Sequence, residues 1–199
     1  MKTNKNVNVF YKDRLVGRIA LTKDGKTAFQ YDEEWIENGF SISPFSLPLD
    51  RRVFVPVKNH FGGMFGVFAD SLPDAWGNIL LNRVLRKNGM DPGTLTSIDR
   101  LAIVGHAGMG ALTYRPEIEI GKTEMSLDFD KLADECSKIL NSEYSNELDL
   151  LYKLGGTSGG ARPKIMTELE GQSWIIKFPA HVDPKESGIM EYEYSLFAK

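Results

Sequence analysis

The sequence predicts an α+β chain: a small antiparallel sheet with helices, then a glycine-rich loop leading into two further strands and a helix. Three observations predict it. Apolar and polar residues alternate with period two through most of the first third, between residue pairs suited to tight turns. Stretches in the middle repeat apolar residues at helical spacing. Near the end, alternation returns just after LGGTSGGARPK, Leu154 to Lys164, which holds four glycines in eleven residues.

The elements follow in order. NVNVFY alternates as a first strand, Lys12-Asp13 offers a turn, and RLVGRIALT makes a second strand. Asp24-Gly25 is a hairpin signal because both residues tolerate positive φ, and TAFQY continues beyond it. Asp32 can cap a short helix, EEWIEN, that Gly39 would end. SPFSLPL reads as loop, and RRVFVPV as a further strand whose Pro56 places it at an edge. The long helix SLPDAWGNILLNRVLRKNG starts near Pro73 and presents Trp76, Ile79, Leu80, Val84 and Leu85 as its apolar stripe. It closes on Arg86 and Lys87, which suit the negative end of the helix dipole, and on Gly89 as a left-handed stop. TSIDRLAIVG is a shorter helix, and GHAGMGALTYRP turns through glycines into a strand. Ser126 to Leu140 forms another amphipathic helix with Leu127, Leu132, Cys136, Ile139 and Leu140 on its apolar side. NSEYSNE is a polar interruption before the glycine-rich loop. Beyond the loop, KIMTEL and WIIKF are strands joined by the turn EGQS, and GIMEYEYSLFAK starts a helix.

Composition bounds the function. The 199 residues suffice for one ordinary domain or two small ones. Twenty-four Lys and Arg against 27 Asp and Glu leave a net charge of −3, which argues against broad electrostatic binding to nucleic acid. Cys136, the single cysteine, has no disulfide partner within the chain, as suits a reducing compartment. The first residues lack a secretory signal pattern, and no apolar run approaches the roughly 18–20 residues of a membrane span. The expected location is cytoplasmic.

The glycine-rich loop fits neither G-x-x-x-x-G-K-[ST] nor G-x-G-x-x-G. Consecutive small residues nevertheless let backbone N–H groups converge on an anion, with Arg162 and Lys164 adding charge and Pro163 stiffening the exit. A phosphate nest and a plain flexible turn both remain open on the loop alone. Its context favours the nest. Lys177 sits among apolar residues in WIIKF, sharing a face with Ile175, while Trp174, Ile176 and Phe178 share the other. An ammonium buried there needs an anionic partner, although an edge-strand lysine can also reach water. Protein kinases use such a strand lysine to contact nucleotide phosphates and orient it with a helix glutamate. Glu191 and Glu193 are the glutamates available. Elsewhere the chemistry is thin. His60, His106 and His181 have no metal-ligand spacing and read as loop residues. Cys136 reads as core, GHAGMG as a turn, and Ser71 and Asp74 as capping residues of the long helix.

Taken together, DRLVGRIAL, GFSISPFSLPL, GVFADSLPDAWGNILLNRVL, DRLAIVGHAGMGALTYRP, GGTSGGARPKI, WIIKFPA and EYEYSLFAK occur in the order found in HipA-type serine/threonine kinases. The chain resembles the amino-terminal half of these bacterial toxins of toxin–antitoxin modules over nearly its whole length. The resemblance implies two regions. Residues 1–122 would form the subdomain that contacts the antitoxin and neighbouring toxin copies, and residues 123–199 the start of a protein-kinase-like amino-terminal lobe. It implies that Gly159, Gly160, Ala161, Arg162, Pro163 and Lys164 hold the phosphates of ATP. Lys177 would contact ATP as well, with Glu193 as its orienting partner and Glu191 the alternative. It implies autophosphorylation just before the loop at Thr157, with neighbouring Ser158 the alternative, and many members of the family have serine at the position of Thr157. The resemblance also implies a further helical lobe supplying the catalytic and Mg²⁺-binding aspartates, so this chain alone is expected to be inactive and to contribute no metal ligand. The implied partners are a HipB-type helix-turn-helix antitoxin, which would bring the only DNA association, and a protein substrate such as an aminoacyl-tRNA synthetase or a translation factor. The alternative reading is a non-catalytic module that regulates an antitoxin or a partner kinase.

Overall fold

The computed structural model describes residues 5–121, 127–180, 182–184 and 186–198. Strands β1 (Asn6–Tyr11), β2 (Arg14–Leu21) and β3 (Thr27–Tyr31) form an antiparallel meander. Lys12 and Asp13 turn between the first two with φ of 46° and 62°, the conformation that matches the twist of paired strands. The second turn differs from the expectation in one respect. Gly25 alone is left-handed, at φ 81°, while Asp24 accepts a hydrogen bond from the Thr22 hydroxyl at 2.6 Å. Helix α1 (Glu33–Asn38) starts on Asp32, whose carboxylate accepts from the Glu34 amide. Gly39 ends it in extended rather than left-handed geometry; a Cβ there would lie 2.5 Å from the Trp35 carbonyl.

RRVFVPV does not make a strand. Phe54 alone pairs with Phe29, through two backbone hydrogen bonds of 2.8 and 2.9 Å, while Val53, Val55 and Val57 face solvent. Pro56 has no N–H to extend the ladder. After the single turn α2 (Gly66–Ala69), the long helix α3 runs from Ala75 to Lys87, ending before left-handed Gly89 as expected. Its buried residues are Trp76, Gly77, Leu80, Leu81, Val84 and Leu85; Ile79, expected in the stripe, is exposed. Ser71 does not cap it, because its hydroxyl lies 2.6 Å from the Tyr114 hydroxyl. Helix α4 (Ser97–Val104) opens with a reciprocal capping box between Thr96 and Asp99. Strand β4 (Leu112–Arg115) then joins the sheet beside β1, giving the order β3-β2-β1-β4.

Helix α5 (Phe129–Leu140) buries Leu132, Cys136 and Ile139. Helix α6 (Leu148–Gly155) is absent from the sequence expectation, although Leu148, Leu151 and Leu154 recur at the spacing of one face. Leu154 and Gly155 are therefore its last turn, not loop. Strands β5 (Lys164–Leu169) and β6 (Gln172–Lys177) form a two-stranded hairpin around left-handed Glu170 and Gly171, and α7 (Ser187–Phe197) follows.

Two main apolar clusters result. The first joins the four-stranded sheet to α1, α2 and α4 through fully buried Val7, Val9, Val16, Ile19, Phe29, Phe68 and Leu101. The second joins one side of α3 to α5, α6 and β5 through Trp76, Leu80, Val84, Cys136, Leu151 and Ile165. Leu81 and Leu85, about 100° round α3 from Leu80 and Val84, pack with Ile103 of α4. Helix α3 thus serves both neighbourhoods. The boundary expected between residues 122 and 123 lies outside the described residues.

Candidate functional site

The loop between α6 and β5 is held at both ends and from one side. Gly156 donates to the Tyr152 carbonyl as α6 ends. The Ser158 hydroxyl turns back to the Gly155 carbonyl at 2.6 Å and is fully buried, whereas the partly exposed Thr157 donates to the Ala107 carbonyl at 2.8 Å. The GHAGMG segment, a turn between helix and strand as expected, is thus also the wall against which Thr157 rests. Thr157 borders two clefts of about 450 and 360 Å³, one toward Tyr11 and Met109, the other toward Ile118 and Tyr152. Gly160 has φ 92°, which only glycine adopts without strain. Gly159, Ala161 and Arg162 are exposed, and the buried Pro163 accepts from the Phe178 amide at 2.8 Å.

The side of the loop is held by α3. Asp74, at the start of that helix, accepts from the Ala75 amide at 2.7 Å with one oxygen and from the Gly160 amide at 2.8 Å with the other. The Trp76 amide donates to the Gly160 carbonyl at 3.3 Å. Gly77 makes the approach sterically feasible: a Cβ on it would sit 2.0 Å from the Gly156 carbonyl oxygen. Those two amide hydrogen bonds, the Gly160 one first, hold the Asp74 carboxyl below its usual range.

The hairpin brings the cations together. Lys164 and Lys177 are register partners across β5 and β6. Burial, and after it the Lys177 charge, lower the Lys164 pKa, while Asp74 opposes the shift. Lys164 donates to the Gly159 carbonyl at 2.6 Å. Lys177 donates to Glu191 at 2.5 Å, and that hydrogen bond holds the Glu191 carboxyl below its usual range. Arg162 lies 2.7 Å from Asp183 and 3.7 Å from Glu191.

Two expectations change here. Glu191, the alternative, pairs with Lys177; Glu193 makes no ion pair among the described residues. Residues two apart on a helix point some 200° apart, so only one can face the hairpin. Strand β6 is also more exposed than its apolar sequence suggests, with Trp174, Ile175 and Lys177 each about half exposed. Lys177 is therefore a surface cation, not a buried one, and among the described residues its strand pairs with β5 alone.

Asp74, Asp183 and the Ala107 carbonyl are the contributors that sequence reasoning did not bring to this place. Asp74 is foreseeable as a cap, but its second oxygen serves a residue 86 positions away. The remaining candidates stay apart. His60 lies in an exposed turn, His106 pairs with Glu117 at 2.8 Å, and His181 lies outside the described residues. Cys136 is fully buried, and burial, reinforced by Glu135, pushes its thiol up to about 12. Among the described residues, no three His, Cys, Asp or Glu side chains converge as a metal site, and no helix is long and apolar enough to cross a membrane.

Residues 7–115, more than half of the chain, match the family described as HipA N-terminal domain. No curated protein matches the chain.

Proposed function

The chain belongs to the HipA N-terminal domain family, and from that premise we propose that residues beyond about 123 begin a protein-kinase-like lobe whose loop grips the phosphates of ATP. The observation that carries this reading is the convergence of Arg162, Lys164 and Lys177 on the mouth of a glycine-rich loop, with Lys177 oriented by Glu191. Three cations beside a glycine-rich loop suit a polyanion, and the exposed ion pair of Lys177 with Glu191 by itself stabilises little. In this reading Lys164 and Lys177 neutralise phosphate oxygens, Glu191 orients Lys177, and the loop amides supply donors. ATP brings the transferable phosphoryl group. Turnover on a protein serine or threonine, an aminoacyl-tRNA synthetase or a translation factor among them, belongs to the complete kinase, with a HipB-type antitoxin as its regulator.

Thr157 is the hydroxyl we assign to autophosphorylation, because Ser158 is buried and its hydroxyl committed to α6. A phosphate on Thr157 would break its bond to Ala107 and place nearly two negative charges beside the grip. The test of the grip is calorimetric titration of ATP into the wild-type chain and Lys177→Ala. The expected result is a loss of affinity of about tenfold, the scale of one charge-assisted contact. Equal affinity in the two proteins would sink the assignment.

The second reading, a partner-binding module, draws on exposed Phe45, Val53, Val57 and Phe61 around a surface groove of about 470 Å³. Titration of a HipB-type antitoxin into the chain and a Phe61→Ser variant tests it; binding indifferent to that change would exclude this groove.

A further inference from the structure

Resting on the reading of Gly159 to Lys164 as a phosphate grip, we propose that Asp74 is a latch on that grip: its carboxylate takes the Gly160 N–H that a phosphate oxygen would use, so an anionic ligand binds by displacing it. The loop is shaped to offer amides to an anion, and an anion already occupies one of them from within the chain. Asp74 sits on the surface, where it needs no loop partner to remain soluble, and its capping duty at Ala75 uses only one oxygen. The other reaches across to Gly160 at 2.8 Å. Its charge also stabilises the protonated Lys164, one of the cations that a phosphate would otherwise meet uncompensated.

The loop does not depend on Asp74 for its shape. Trp76 donates to the Gly160 carbonyl, Thr157 to Ala107, Ser158 to Gly155 and Lys164 to Gly159. The Asp74 contact therefore acts as a competitor more than as a scaffold. It also ties the grip to α3, an element of the HipA N-terminal domain that lies outside the loop's own hairpin. Anything that shifts the start of α3 shifts the latch.

The roles of scaffold and competitor predict opposite signs. Loss of a scaffold weakens anion binding, whereas loss of a competitor strengthens it. The experiment is calorimetric titration of inorganic tripolyphosphate into the wild-type chain, Asp74→Ser and Asp74→Asn. Serine keeps a capping hydroxyl but is too short to reach Gly160; asparagine removes the charge and keeps a single acceptor oxygen, which can serve Ala75 or Gly160 but not both. Asp74→Ser is expected to bind about five- to tenfold more tightly than wild type, the worth of one charge-assisted hydrogen bond, with Asp74→Asn between them. Binding by the variants alone supports the latch as well. If wild type binds and Asp74→Ser binds no more tightly, the latch is wrong and the grip stands. If none of the three binds, the grip fails and the latch fails with it. Thermal melts followed by circular dichroism show whether Asp74→Ser folds; if it does not, Asp74→Asn decides by the same criterion.

Discussion

The four-stranded sheet and the β5–β6 hairpin are both antiparallel, yet they are stabilised in different ways. The sheet closes its own core: Val7, Val9, Val16, Ile19 and Phe29 are fully buried against α1, α2 and α4. In the hairpin only Ile165 is fully buried, β6 is exposed along nearly its whole length, and α7 buries no residue. Ion pairs gather where packing is absent, joining Lys177 to Glu191 and Arg162 to Asp183, and the exposed Lys177 pair adds little stability. Charge chemistry is gathered where the apolar scaffold is thinnest. Helix α3 packs against α6 and against Ile103 of α4, and its start presents Asp74 and Gly77 to the loop of the weaker region.

Mutations can break this comparison. Phe29→Ala in the sheet removes a fully buried ring packed on Tyr31 and Phe68, and should cost about 3–5 kcal/mol in urea unfolding. A cost below about 1 kcal/mol would end the claim that the sheet closes its own core. Next comes acid. Glu135 of α5 is almost fully buried; burial alone would raise its pKa, but hydrogen bonds from Lys138 and the Asn146 amide pull it down to about 2 from 4.5. A depressed carboxylate stabilises the fold above its unfolded pKa. That contribution, about 3 kcal/mol at most, is present above pH 4.5 and is lost as the pH falls toward about 2. Glu135→Gln should therefore be less stable than wild type at pH 7, and the difference should shrink at pH 3; urea midpoints at both pH values check it.

Gly77→Ala drives a methyl group against the Gly156 carbonyl and should cost about 1–3 kcal/mol while displacing the loop. Crystallography of the variant, or loss of tripolyphosphate binding at retained fold, would sharpen the link between α3 and the proposed grip. The smallest effects belong to the hairpin. Trp174→Ala should change stability by less than about 0.5 kcal/mol, as at ordinary surface sites. Lys177→Ala should lower it by no more than about 1 kcal/mol while it weakens ATP binding. If Trp174→Ala proved as costly as Phe29→Ala, the contrast between the two regions would collapse.

Much was legible because local physics is strong here. Period-two alternation and turn chemistry at Lys12-Asp13 determined the meander, and Gly89 determined the end of α3. Family motifs named the loop, Lys177 and a pair of glutamates. Helix α6 was legible in principle from its leucine spacing, but the adjoining glycines obscured it. Four matters were decided only by the tertiary structure. The register of the hairpin sets Lys164 opposite Lys177, and helix phase selects Glu191 over Glu193. Burial separates Ser158 from Thr157. The second oxygen of Asp74 reaches Gly160, 86 residues along the chain. Sequence pattern reports what a residue does to its neighbours within a turn or two. Which distant backbone amide a carboxylate meets depends on how helices and loops stack, and no local periodicity encodes that.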